Sequence, residues 1–316
     1  MNRIACQAAA YAVAAIFAGC AGSRTTTGLP SAIPQTVVPT VAAHNSAKRG
    51  ALLYISDLDA SKVFVYSYPS LAPVGMLSGI SLPAGMCVEP KTGNVWIAER
   101  GGYTSWVAEF RHGGTKSIRT LQIGSEDEAN ACAVNPTNGD VAVANSTFGG
   151  DDPGDVVIFD ALTSKPRTYS DKGMFFYEFL GYDPNGNLFV DGTPFVDYSD
   201  FRLDQLPSGA KHLVNIRWRG PQIAFPGNIQ YDGTNMTVGD MRKPFIYRIV
   251  GGKSVGSTLL EGDCLVNQYF IDSDKVIVPG YCDGASYVSI YNYPAGGFPI
   301  ETITGFKFAF GAVIGR

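Results

Sequence analysis

Histidine is almost missing from this chain of 316 residues: only His44, His112 and His212 occur. Without an H-E-x-x-H pair the sequence offers no zinc-peptidase site. Each histidine also sits where a solvated loop residue is expected rather than a general base. His44 lies in a low-complexity stretch, His112 precedes Gly113-Gly114, and His212 follows the turn Pro207-Ser-Gly-Ala210. Charge is scarce too, at 16% of residues with a formal net charge of −4. No Lys/Arg cluster follows Lys48-Arg49, so a nucleic-acid footprint is excluded. The six cysteines contain no C-x-x-C, which excludes a thiolate zinc or redox motif. A helical period of useful length is absent after the first residues, so helical repeats are excluded as well.

Glycine (37), Phe (18) and Tyr (16) are abundant, and they are unevenly distributed. Met1-Asn-Arg3 followed by IACQAAAYAVAAIF is a basic start with an apolar run too short to span a bilayer comfortably, and reads as a secretory signal. The run ends in Phe17-Ala18-Gly19-Cys20, which resembles a bacterial lipoprotein processing box, with Phe17 where Leu is usual. The resemblance implies lipidation of Cys20 after removal of residues 1–19. Ala21 behind it implies the outer membrane of the cell envelope. If Cys20 is not lipidated, the protein is secreted. Residues 20–50 are rich in Thr, Ser, Pro and Ala and cannot bury enough apolar surface to order, so they read as a disordered tether. Its root-mean-square span would be about 30 Å.

Residues 51–316 form the folded domain, and they repeat a phrase. EPKTGNVWIAE (89–99) returns as NPTNGDVAVAN (135–145), DPNGNLFVD (183–191), DGTNMTVGD (232–240) and DSDKVIVPG (272–280). The apolar halves recur at roughly 40–48 residues, a period of solenoids or propellers. Each phrase is followed by a second and a third strand, and a fourth apolar segment precedes the next turn. Four strands per unit make a propeller blade. The chain enters at Leu53 without the fourth segment and leaves at Phe308–Ile314, which supplies it. Five internal hairpins plus that closure predict an all-β, six-bladed β-propeller whose C-terminal strand completes the N-terminal blade. LPAGMCVEPKTGNVWIAE resembles the NHL repeat, and the plan is similar to gluconolactonase-like and regucalcin-like propellers. That resemblance implies a fold more than an activity.

With Cys6 in the signal and Cys20 lipidated, Cys87, Cys132, Cys264 and Cys282 remain. Cys264 and Cys282 flank Ser273 symmetrically, so a hairpin sets them opposite each other. Cys87 and Cys132 lie on innermost strands of neighbouring blades, where facing sheets bring them together. Two disulfides, 264–282 and 87–132, are expected.

The turns of the repeated phrase lie on one face of the disc. The longer loops, 99–105, 145–155, 191–200 and 217–226, lie on the other and mark the expected binding face. Asp57, Glu99, Asn145, Asp191 and Asp240 end the first strands. They either ring a cation or satisfy turn amides, the second being the ordinary use of such residues. At the starts of the innermost strands stand Asn130, Glu178, Asn228 and Asn267, with Glu126-Asp-Glu128 beside them. Regucalcin-like lactonases hold a divalent cation through a set of similar composition, so the resemblance implies Ca²⁺ or another divalent ion there. Gly149–Asp155 is acidic, but turn chemistry accounts for it. Tyr66/Tyr68 and Tyr291/Tyr293 form either a recognition platform or matching structural packing. The role expected is a non-catalytic binding or scaffold module for a protein, peptide or glycan. The alternative is a metal-dependent lactone hydrolase.

Overall fold

The computed structural model describes residues 50–316 except 78, 102–103, 126, 148–151 and 195–199. The expected signal segment, Cys20, the expected tether up to residue 49 and Glu126 lie outside the described residues. Six antiparallel sheets form six blades. Blade 2 runs outward from Pro83–Val88 through Val95–Glu99 and Thr104–Phe110 to Ser117–Ser125. Blade 3 starts at Asp127–Val134, blade 4 at Phe176–Tyr182 and blade 5 at Pro226–Tyr231. The inner edge of blade 6 is broken into Leu265–Val266 and Phe270–Asp272. Blade 1 takes Leu52–Asp57, Lys62–Ser67 and Pro73–Leu77 from the N-terminal side and Ala309–Gly315 from the other end of the chain. That last strand pairs Leu53 with Ile314 and Ile55 with Ala312, which closes the ring as expected.

Alternation explains why the strands read as apolar on both faces. Leu52 and Tyr54 pack into the seam between blades 1 and 2 beside Val95 and Ile97, whereas Leu53 and Ile55 pack into the seam between blades 6 and 1. Trp96 and Ala98 point the other way from Val95, into the seam with blade 3. Each of the six seams has its own apolar cluster, and a seventh lies on the axis.

The repeated phrase is a turn that satisfies itself. Glu89, Asn135, Asp183 and Asp232 each accept the amide two residues on with a side-chain oxygen, which fixes the corner. Gly93 then takes φ +70°, and a Cβ there would strike the Arg316 carbonyl, so the glycine is required twice over.

Both disulfides form, Cys87–Cys132 across the seam of blades 2 and 3 and Cys264–Cys282 within blade 6. The second arises from a register more involved than simple symmetry about Ser273. Asp272 pairs with Lys275 and Phe270 with Ile277, so the hairpin is centred half a residue later. The break at residues 267–269 then shifts the ladder to Leu265↔Tyr281, which places Cys264 opposite Cys282. Two disulfides suggest an extracytoplasmic, oxidising location.

Candidate functional site at the centre of the ring

The innermost strands lose register where they enter from the long-loop face. Breaks fall between Pro83 and Met86, Ala129 and Ala131, Tyr177 and Leu180, and Pro226 and Ile229. Bulges of this kind turn side chains out of the sheet. Asn130, Glu178 and Asn228 stand at three of these breaks and Asn267 at the break in blade 6, while Asn228 and Gln268 also line the cavity below.

The three asparagines share one task. The Asn130 amide donates to Tyr177 O at 2.9 Å, Asn228 to Tyr269 O at 2.7 Å, and Asn267 to Ala309 O at 2.9 Å. Each bond crosses a seam to the next innermost strand, and the Ser56 hydroxyl donates likewise to Ala84 O at 2.7 Å. Gln268 goes farther: it accepts from Met86 N at 2.6 Å and donates to Met86 O at 2.7 Å, joining blade 6 to blade 2 over blade 1. Buried amides are thereby satisfied and the blades are clasped. Among the described residues, no group of three or more His, Cys, Asp or Glu side chains is arranged to hold a metal ion.

The strand-end ring is put to structural use. Asp57 accepts from Lys307 N and Phe308 N, Asp240 from Ala224 N and Phe225 N, Glu99 from Ser81 N, and Asp191 from Phe179 N. Each carboxylate holds the segment that enters the innermost strand of its own blade. The tyrosine pairs are likewise packed: Tyr291 and Tyr293 lie in the seam of blades 5 and 6, and Tyr66 and Tyr68 against that of blades 6 and 1. Gly252-Lys-Ser254-Val-Gly256 has the spelling of a nucleophile elbow, but Ser254 lies within the outer strand Lys253–Leu259 and no helix follows.

Arg100 is the residue that sequence reasoning missed. It follows Glu99 without any local pattern, yet it donates to Asn130 Oδ1 at 2.7 Å and lies over the Phe310 ring at 5.2 Å. Its Nε is buried and has no partner among the described residues. Phe310 and Phe179 stack with centroids 6.1 Å apart, and with Ala84 and Ala131 they plug the channel. Leu58, Met241 and Phe308 pack on that plug from the long-loop side and stay half-exposed. On the far side a cavity of about 370 Å³ opens toward the short turns, walled in part by the Cys87–Cys132 disulfide.

Burial, above all, raises the Glu178 carboxyl to about 7; the Arg100 charge opposes this and the Glu128 charge adds to it. Asp191 is pushed well above its ordinary value by burial, with the Glu178 charge adding to the effect. In the folded state Glu178 keeps a proton that the unfolded chain releases near 4.5, so its cost to stability appears as pH rises between those values and is complete above about 7. Glu178→Gln should therefore raise the melting temperature at pH 8 and leave it unchanged at pH 4. Thermal unfolding at both values checks this, and an equal shift at both would contradict it.

No protein-family model and no curated protein matches the chain. Solved structures do. A chain of the nidogen/laminin complex superposes with a TM-score of 0.66 at 12% identity, covering 84% of this chain and 99% of that one. A protein of unknown function from Bacteroides caccae gives 0.62 at 11% identity, again over 84% and 99%. This chain is a six-bladed β-propeller. At such identities the likeness concerns the fold alone, and a propeller is compatible with a binding or scaffold module.

Proposed function

We propose that the chain is a lipid-anchored envelope protein whose propeller binds a protein, peptide or glycan through its long-loop face and catalyses no reaction. The observation that carries this is the state of the channel mouth. Arg100 already donates to Asn130 Oδ1, the oxygen a cation would need there, the Nδ2 groups of Asn130, Asn228 and Asn267 are fixed in blade-to-blade clasps, and Phe179 with Phe310 closes the way inward. What the face offers instead is the rim of a plug: a guanidinium beside half-exposed Leu58, Met241 and Phe308, the mixture of arginine and apolar anchors that interfaces favour. One propeller of this fold comes from a structure titled as a protein complex, which agrees with the reading. In the test, cells carrying the wild type are cross-linked and compared with Met241→Asp/Phe308→Asp and with Cys20→Ala. The double variant should lose the cross-linked partner while staying folded, and Cys20→Ala should leave the membrane fraction. Unchanged capture by the double variant would overturn the binding face; unchanged retention of Cys20→Ala would overturn the anchor.

A second reading, a metal-dependent lactone hydrolase of the kind the sequence resembles, is favoured by Glu178, whose proton affinity near neutrality suits acid–base chemistry. A melting temperature that does not move between EDTA and Ca²⁺, Mn²⁺ or Zn²⁺ would leave it without support.

A further inference from the structure

A second recess of about 370 Å³ lies on the short-turn face, between blades 3 and 4, well away from the channel mouth. It differs from the central cavity in how its polar groups are used. Around the central cavity Gln230, Gln268 and Asn228 are already bonded to backbone. Around this cleft the donors are free. The hydroxyls of Tyr169, Tyr182 and Ser208 make no hydrogen bond with the described residues, nor does Nδ2 of Asn135, whose Oδ1 is taken up by Thr137. Burial, with the Asp140 charge behind it, raises Tyr182 far above the ordinary phenol value, so its hydroxyl remains a donor at neutral pH.

Charge and floor complete the site. Arg167 gives one nitrogen to Asp140 at 2.6 Å and leaves the rest of its exposed guanidinium to the solvent side, while Lys211 has no ion pair among the described residues. Two cations against one carboxylate leave a single positive charge. Ile158 and Leu206 leave a narrow apolar strip at the bottom, backed by the fully buried Leu188. An inorganic anion would have no use for that floor, and an apolar ligand none for the donors. A pyranose ring with a carboxylate matches both, through its C–H face and its oxygens.

We propose that the cleft between blades 3 and 4 binds an acidic saccharide, its carboxylate toward Arg167 and Lys211 and its ring over the strip at Ile158 and Leu206. The site is independent of the long-loop face, so either assignment can fail alone.

The experiment is a saturation-transfer NMR titration of the full chain with galacturonate, galactose, acetate and trigalacturonate. Galacturonate should saturate, with galactose about fivefold weaker or more and acetate not saturating. Tyr169→Phe and Tyr182→Phe remove hydroxyls that support nothing inside the fold, so each should keep the melting temperature and weaken galacturonate about fivefold. Lys211→Ala should erase the preference for acid over neutral sugar. Tighter binding of trigalacturonate would mark a polymer as the source, and equal binding a free sugar. Acetate binding as tightly as galacturonate, no saturation by any sugar, or wild-type affinity in the combined Tyr169→Phe/Tyr182→Phe/Lys211→Ala variant would each overturn the site.

Discussion

A chain ending at Lys307 is expected to lose cooperative folding altogether rather than melt a few degrees earlier. The strand Ala309–Gly315 serves several structures at once. It pairs with Leu52–Asp57 along its length, puts Ala309, Ala312 and Ile314 into the seam with blade 6, Val313 into the seam with blade 2, and Phe310 into the axial plug. It also supplies the carbonyls that Asn267 and Gln268 bond, at Ala309 and Phe310. At roughly 1.5–3 kcal/mol for each large apolar side chain, Phe310, Val313 and Ile314 alone account for about 5–9 kcal/mol. That is comparable with the roughly 5–15 kcal/mol that holds a whole domain together. Near-UV circular dichroism and urea unfolding would report the result: no fixed aromatic signal, no sigmoidal transition, and earlier elution in gel filtration as an expanded chain. Moving residues 308–316 to precede Ala51 through a short linker should restore the transition, because the strand would reach the same slot from the other end. A truncated chain that unfolds with the full-length midpoint would disprove that closure holds the ring.

Much of this fold could be read because its rules are local and periodic. Alternation in Val95-Trp-Ile-Ala98 tells that both faces are buried, the acceptor at the head of each turn and Gly93 tell where the corner lies, and the unmatched ends at Leu53 and Phe308 tell how the ring closes. Both cysteine pairs followed from strand positions, although the break at 267–269 that brings Cys264 opposite Cys282 did not. The channel mouth was legible only as a list of residue types. Asn130, Asn228 and Asn267 were found at the right height, because a strand start is a sequence position. That each amide nitrogen reaches the carbonyl of a neighbouring strand depends on the spacing between blades, which no local pattern encodes. Arg100, Phe179 and Phe310 escaped for the same reason: their partners are 30 to 210 residues away in sequence. The cleft of blades 3 and 4 was hidden too, since the hydroxyls of Tyr169 and Tyr182 converge only once two sheets face each other.

Gln268→Ala should show how much such a non-local bond contributes. Met86 N and O are buried, and the substitution leaves both without their partner in a space closed above by the plug. An unsatisfied buried group costs about 1–3 kcal/mol, so a loss of roughly 2–5 kcal/mol is expected, less if water enters from the cavity below. The urea midpoint should fall with an unchanged slope. Gly311 supplies the control. A Cβ on it would come within 2.5 Å of Gln268 Oε1, so Gly311→Ala should destabilise the wild type by displacing the clasp. In the Gln268→Ala background that clash is gone and only the contacts with Ser56 Oγ at 3.0 Å and Ala84 O at 3.2 Å remain, so the same change should cost less. The two substitutions therefore should not add, with a coupling of about 1–3 kcal/mol. Hydrogen exchange should place the damage: faster in Ala309–Gly315 and Pro83–Val88, which the glutamine spans, and unaltered in Leu188–Thr193 of blade 4, across the ring from blade 1. Additive effects, or uniform loss of protection around all six blades, would mean that Gln268 merely fills space and that the ring is held by its seams alone.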